Sequence, residues 1–71
     1  MYKLLKDYRT GEIYGANKIE QNTMLSFLFD PANTDYQTFR KDVAGGVELQ
    51  DADGNVMTQA QVDDFLKTIP E

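Results

Sequence analysis

Asp51-Ala52-Asp53-Gly54-Asn55 brings three oxygen-bearing side chains together around a glycine, the composition of a calcium loop. A helix–loop–helix calcium site takes oxygen ligands at loop places 1, 3, 5 and 12, with glycine at place 6. Setting Gly54 sixth puts Leu49 first and Ala60 twelfth; setting Asp51 first puts Gly54 fourth and Val62 twelfth. Neither frame completes the coordination shell, and a loose clustering of carboxylates is all that favours a cation. The segment therefore reads as a hairpin turn, and no metal ligand is assigned.

The other groups able to do chemistry are few. The chain has no His and no Cys, which removes the commonest general base, the most reactive nucleophile, thiolate metal sites and any disulfide framework. Ser26 is the one serine and stands in an apolar run, where a strand residue is the expected role. Asp63 and Asp64 supply a carboxylate pair of the kind glycosidases use. As neighbours on a helix, however, they diverge, since only residues three or four apart share a face. Gly45-Gly46 lacks the Lys and Ser/Thr of a phosphate-cradling loop. So small a core also has little room to surround a substrate pocket. The expectation is a non-enzymatic protein with no catalytic residue and no cofactor.

Charge and length narrow the classes further. Residues 1–30 carry Lys3, Lys6, Arg9 and Lys18 against Asp7, Glu12, Glu20 and Asp30, which cancel; the net charge of −5 lies in the second half. Such a surface repels a phosphate backbone, so nucleic acid is not an expected partner. Met1-Tyr2-Lys3-Leu4-Leu5-Lys6 is polar too early for a signal peptide, and no apolar run nears the roughly 20 residues of a membrane span. A soluble, unanchored chain is expected. Its 71 residues read as one small domain over 1–71, and a chain of that size buries only about 60% of its unfolded surface.

Two turns punctuate the chain alike: Asp7-Tyr8-Arg9-Thr10-Gly11-Glu12 and Asp51-Ala52-Asp53-Gly54-Asn55 each open on Asp and close on Gly. Both suit a type I turn followed by a left-handed residue. The first predicts a hairpin of Tyr2–Lys6 with Glu12–Asn17, the second a hairpin of residues 47–50 with residues 55–57. A third strand is expected over Thr23–Phe29, and its continuous apolarity implies burial on both faces or one face awaiting a partner. Asp30-Pro31 stops that strand. Thr34 and Gln37 then have capping-box spacing, with Asn33 as the competing N-cap. Tyr36, Phe39 and Val43 form one apolar stripe on the helix that follows, which ends at Gly45-Gly46. Thr58 and Gln61 repeat the capping box before a last helix with Val62, Phe65, Leu66 and Ile69 inward, closed by Pro70. The fold class is α+β: a small antiparallel sheet with two short amphipathic helices on one face.

Four tyrosines in so short a chain point to an interaction surface, because tyrosine combines apolar area with a polar tip. Candidate interface residues are Tyr2, Tyr8, Tyr14, Phe27 and Phe29. Core packing is the competing role for Tyr2, Tyr14 and Tyr36, whereas Tyr8 sits at a turn tip, where burial is hardest to arrange. Self-association that covers an apolar strand is a further expectation, since a small core gains stability by oligomerising.

The wording of Phe29-Asp30-Pro31-Ala32-Asn33-Thr34-Asp35-Tyr36-Gln37 closely resembles a phrase in small, largely uncharacterised proteins of tailed bacteriophages, often encoded near tail-fibre and other virion genes. In those proteins a hairpin of the type "YKLIKD…TGEV" leads through "DNT…" into "DPANTDYQ" and a short helix. Tyr2-Lys3-Leu4-Leu5-Lys6-Asp7, Thr10-Gly11-Glu12-Ile13 and Gln21-Asn22-Thr23 stand in the corresponding places, so the resemblance covers residues 2 to 46. After Gly46 the chain departs from those relatives, many of which continue into a "GNTP"-type acidic tail. The resemblance implies a tail-associated or other virion structural or interaction module, found in the virion. The alternative is a host-directed factor in the host cytoplasm, binding a host protein through the acidic second half.

Overall fold

The first reversal forms as its residues dictate. Asp7 Oδ1 accepts from Arg9 N–H at 2.9 Å, Gly11 N–H reaches Asp7 C=O at 2.6 Å, and Gly11 takes φ +79°. The structure, a computed structural model, describes residues 1–70. In chain order it has β1 (Tyr2–Lys6), β2 (Ile13–Glu20), β3 (Thr23–Leu28), α1 (Thr34–Ala44), β4 (Leu49–Gln50) and α2 (Gln59–Leu66). The fold is α+β, as expected.

Strand β2 runs three residues beyond the expected Asn17, because the β2–β3 reversal is tight: Glu20 pairs with Thr23, and Asn22 supplies the left-handed residue at φ 65°. The sheet has the order β3-β2-β1-β4. The first three strands are antiparallel, but β4 runs parallel to β1, with Leu49 beside Tyr2. The sheet is thus mixed, not purely antiparallel. The cause is α1, which carries the chain from β3 back along the sheet, so the next strand must start from the same end as β1. The expected second hairpin contracts accordingly. Asp51 N–H still bonds Asn55 C=O at 2.9 Å and Gly54 has φ +90°, but only the bridge between Gln50 and Val56 remains of its second strand.

The entrance of α1 corrects the expected Thr34–Gln37 box. Asn33 is the N-cap, its Oδ1 accepting from Asp35 N–H at 2.8 Å, while Gln37 Nε2 donates to Pro31 C=O at 2.9 Å. Asp30 starts the turn one step earlier: its C=O takes Asn33 N–H at 2.8 Å, which brings the short Asn side chain to the cap before Thr34 can serve. At the other end Gly46, at φ +104°, completes a Schellman motif. Its N–H bonds Val43 C=O at 3.2 Å and Val47 N–H bonds Asp42 C=O at 3.0 Å. The capping box of α2 forms as expected, with Gln61 N–H on Thr58 Oγ1 at 3.2 Å and Thr58 N–H on Gln61 Oε1 at 2.9 Å.

Strand parity puts Tyr2, Leu4, Ala16 and Phe27 on one sheet face, and all four are buried with Tyr36, Phe39, Val43, Leu49 and Val62 in one cluster. Both helices cover that face. Phe65, Leu66 and Ile69 of the α2 region are only half-buried against it. Gly15 in β2 is there for space: a Cβ would come within 2.4 Å of Phe27 C=O. Phe39 has no exposed surface and meets four aromatic rings. Phe39→Ala is therefore expected to cost about 3–5 kcal/mol, a large share of the stability of a domain this small, as chemical denaturation would show.

Candidate interaction surface

The acidic groups of the second turn and of α2 are engaged locally and do not converge on a shared point. Asp51 Oδ1 accepts from Asp53 N–H and Asn55 N–H, each at 2.9 Å, so the carboxylate closes its own turn. Chiefly the Asn55 N–H holds its pKa below the ordinary carboxylate value. Asp63 accepts from Gln59 Nε2 at 3.1 Å, and Asp64 lies 3.8 Å from Lys67, both out in solvent. Ser26 Oγ donates to Asn17 Oδ1 at 2.5 Å, with no base beside it. Among the described residues no three acidic side chains gather as metal ligands would, no pocket is enclosed, and no helix is long and apolar enough to cross a membrane.

Strand parity turns Tyr2 and Phe27 inward, whereas Tyr14 sits at the register shift beside Leu5 and Lys6 and Tyr8 in the turn beyond β1. Tyr2 and Phe27 point into the core and are buried, and Phe29 is half-buried, its ring centroid 5.5 Å from that of Phe39. These three belong to the core and offer little to a partner: the alternation that exposes one set of side chains drives the other set under α1. The Tyr2 hydroxyl bonds Asp42 Oδ2 at 2.6 Å. Tyr8 and Tyr14 are exposed, Tyr8 by 76% at the hairpin tip, with the Lys6 ammonium 5.9 Å from its ring.

Three of the exposed apolar side chains share β3: Met24 and Leu28, 66% and 60% exposed, and Leu25 less so. Of the two expectations for β3, burial on both faces is excluded. The strand pairs only with β2, stands at the sheet edge, and buries Phe27 alone. On the face opposite the helices, the register lines up Leu5, Gly15 and Leu28 in one row, Lys3, Asn17 and Ser26 in the next, and Ile19 with Met24 in a third. Met24 and Leu28 were not singled out from sequence. The signal was present, because Met24, Ser26 and Leu28 alternate with Leu25 and Phe27, and the single aromatic marks the inward set.

Comparison with protein-family models, with curated proteins and with solved structures finds no match for this chain.

Two predictions follow from the contrast between the tyrosines. Burial first, and then the bond to Asp42, push the Tyr2 phenol well above its ordinary value near 10. Above about pH 10 the unfolded chain loses this proton and the folded chain keeps it. The contribution is thus complete below that pH and lost as the pH rises further. Tyr2→Phe is expected to cost about 1–2 kcal/mol at neutral pH and to flatten the alkaline fall of stability, measured by denaturant melts from neutral to alkaline pH. Tyr8→Ser, by contrast, is expected to change stability by less than about 0.5 kcal/mol in the same melts; a larger loss would place Tyr8 in the fold's support.

Proposed function

We propose that this chain is a non-enzymatic protein-interaction module of a tailed bacteriophage, acting as a tail-associated or other virion structural component. One observation carries the interaction reading: β3 is an edge strand with Met24, Leu25 and Leu28 exposed and no charged residue anywhere from Gln21 to Phe29. Natural proteins blunt exposed edges with lysine, proline, bulges or very short strands, and β3 has none of these. The opposite edge is β4, two residues long and bridged by Val56. An unguarded edge with Met24 and Leu28 exposed beside it suits strand addition, in which main-chain hydrogen bonds give affinity and alternate side chains give selectivity.

The phage attribution is supported by the likeness of residues 2 to 46 to small phage proteins, above all in Phe29–Gln37. The strand-to-helix junction that carries this likeness is structural throughout, with Asp30, Asn33 and Gln37 all occupied by the local hydrogen bonds. A host-directed factor is the second reading, favoured by the outward display of Glu48, Asp53, Asp63 and Asp64 on the acidic half. Quantitative mass spectrometry of purified particles decides between them. Peptides of this chain at a fixed copy number per particle are the expected result. Their absence from particles, with the chain abundant in infected cells, would overturn the virion assignment in favour of the host-directed one.

A further inference from the structure

We propose that the free edge of β3 pairs with the β3 edge of a second copy of this chain, antiparallel about a twofold axis at Ser26, so that two sheets become one. This rests on the interaction reading above and names its partner.

The hydrogen-bond phase of the sheet restricts how the edge can be used. Ile19 N–H donates to Met1 C=O at 2.8 Å, and the Met1 ammonium donates to Ile19 C=O at 3.1 Å. The Ile19 backbone therefore faces β1, and in an antiparallel ladder its neighbour Lys18 must face β3. At the other end Phe29 N–H on Tyr14 C=O at 3.1 Å shows the same phase. With Lys18–Leu25 and Ala16–Phe27 as the bonded pairs, Met24, Ser26 and Leu28 turn their N–H and C=O groups to the open edge. The Leu28 C=O has a local partner, Asp30 N–H at 2.9 Å.

A second β3 can bond only through the same three residues. Setting Ser26 opposite Ser26 of the second copy uses all of them and sets Met24 opposite Leu28. Opposite residues share a face, so the two outer faces become continuous and both helix layers lie on one side. The two most exposed apolar side chains of each strand then cover each other across the seam.

Charge does not bar a second copy in this register. Two chains of net charge −5 repel, yet residues 21–29 carry no charge. Glu20 belongs to β2, one strand behind the seam, and Asp30 lies past the end of β3, so the paired segments themselves set no charge opposite another. The area sets the strength. A six-residue edge offers on the order of half the ~800 Å² per partner of a standard interface, which describes a weak dimer suited to crowded, repeated assembly.

The test is sedimentation velocity of the full chain from about 10 µM to about 1 mM, a range that brackets weak association. The probes are Ser26→Pro and Ser26→Ala. Proline removes an N–H that points to the open edge and leaves the ladder to β2 intact. Alanine loses the same bond to Asn17 but keeps the N–H. The expected result is a wild-type dimer whose dissociation constant rises about tenfold or more with Ser26→Pro and little with Ser26→Ala. Register is read separately in this cysteine-free chain. Ser26→Cys alone should join copies through a short bis-maleimide, while Met24→Cys and Leu28→Cys should join better when mixed than alone; this readout stands even if Ser26→Pro fails to fold. A wild-type monomer at about 1 mM, a dimer indifferent to Ser26→Pro, or no cross-link at Ser26 would each overturn the proposal. A wild-type monomer would leave the interaction reading standing, with a strand of another protein on the edge. A dimer missing from virions would overturn the virion assignment alone.

Discussion

Phe39 lies with its ring centroid 5.0 Å from that of Tyr2, 5.5 Å from Phe27, 5.5 Å from Phe29 and 6.3 Å from Tyr36. One side chain of α1 thus touches β1, β3, the junction after β3 and its own helix. Such aromatic contacts add specific geometry to area burial, and here they replace the depth a larger protein would have. The arrangement also uses up the supply of large apolar residues. All four phenylalanines and two of the four tyrosines belong to this side of the sheet. Little is left to build a second layer, so the other face stays open. The uncovered face and the exposed edge are consequences of concentrating a small chain's aromatics at one point.

Elements specified by near neighbours were legible in the sequence. The stripe of Tyr36, Phe39 and Val43, the two Asp-to-Gly turns, the Gly45-Gly46 stop and the Thr58–Gln61 box each depend on residues within a turn or two of one another. The features that sequence reading missed depend on distant chain. Whether β4 runs parallel or antiparallel is decided by where α1 delivers it, which no local pattern encodes. Whether Thr23–Leu28 is central or at an edge depends on which strands lie beside it, and a continuous apolar run reads alike in either place. The same ambiguity placed Tyr2, Phe27 and Phe29 among the surface candidates, because an aromatic at period two fits a core and an interface equally. Asn33 against Thr34 was a different kind of miss: two adjacent residues able to cap, separated only by the Asp30 turn before them.

The two edges of the sheet are handled in opposite ways. At β4 the chain shortens the strand and bridges it with Val56, leaving little to template a neighbour. At β3 six residues without a charge are left open. Asp51 and Asp53 lie in a turn and Asp63 and Asp64 on the exposed side of α2, none of them part of that edge. Net charge therefore discourages indiscriminate association while one neutral strip stays available.

Helix α2 is held differently from the rest. Val62 is its one fully buried side chain, and Arg40 secures its far end, donating to Leu66 C=O at 3.3 Å and to Pro70 C=O at 2.9 Å, with the Tyr36 hydroxyl also on Pro70 C=O. α1 buries three side chains, Tyr36, Phe39 and Val43, against the one of α2, and the Phe65 ring reaches the core at its margin, 6.0 Å from that of Phe29. The far end of α2 is therefore joined to the body through carbonyl groups as much as through packing. Arg40 thus makes a guanidinium part of the wall that closes the aromatic core on that side.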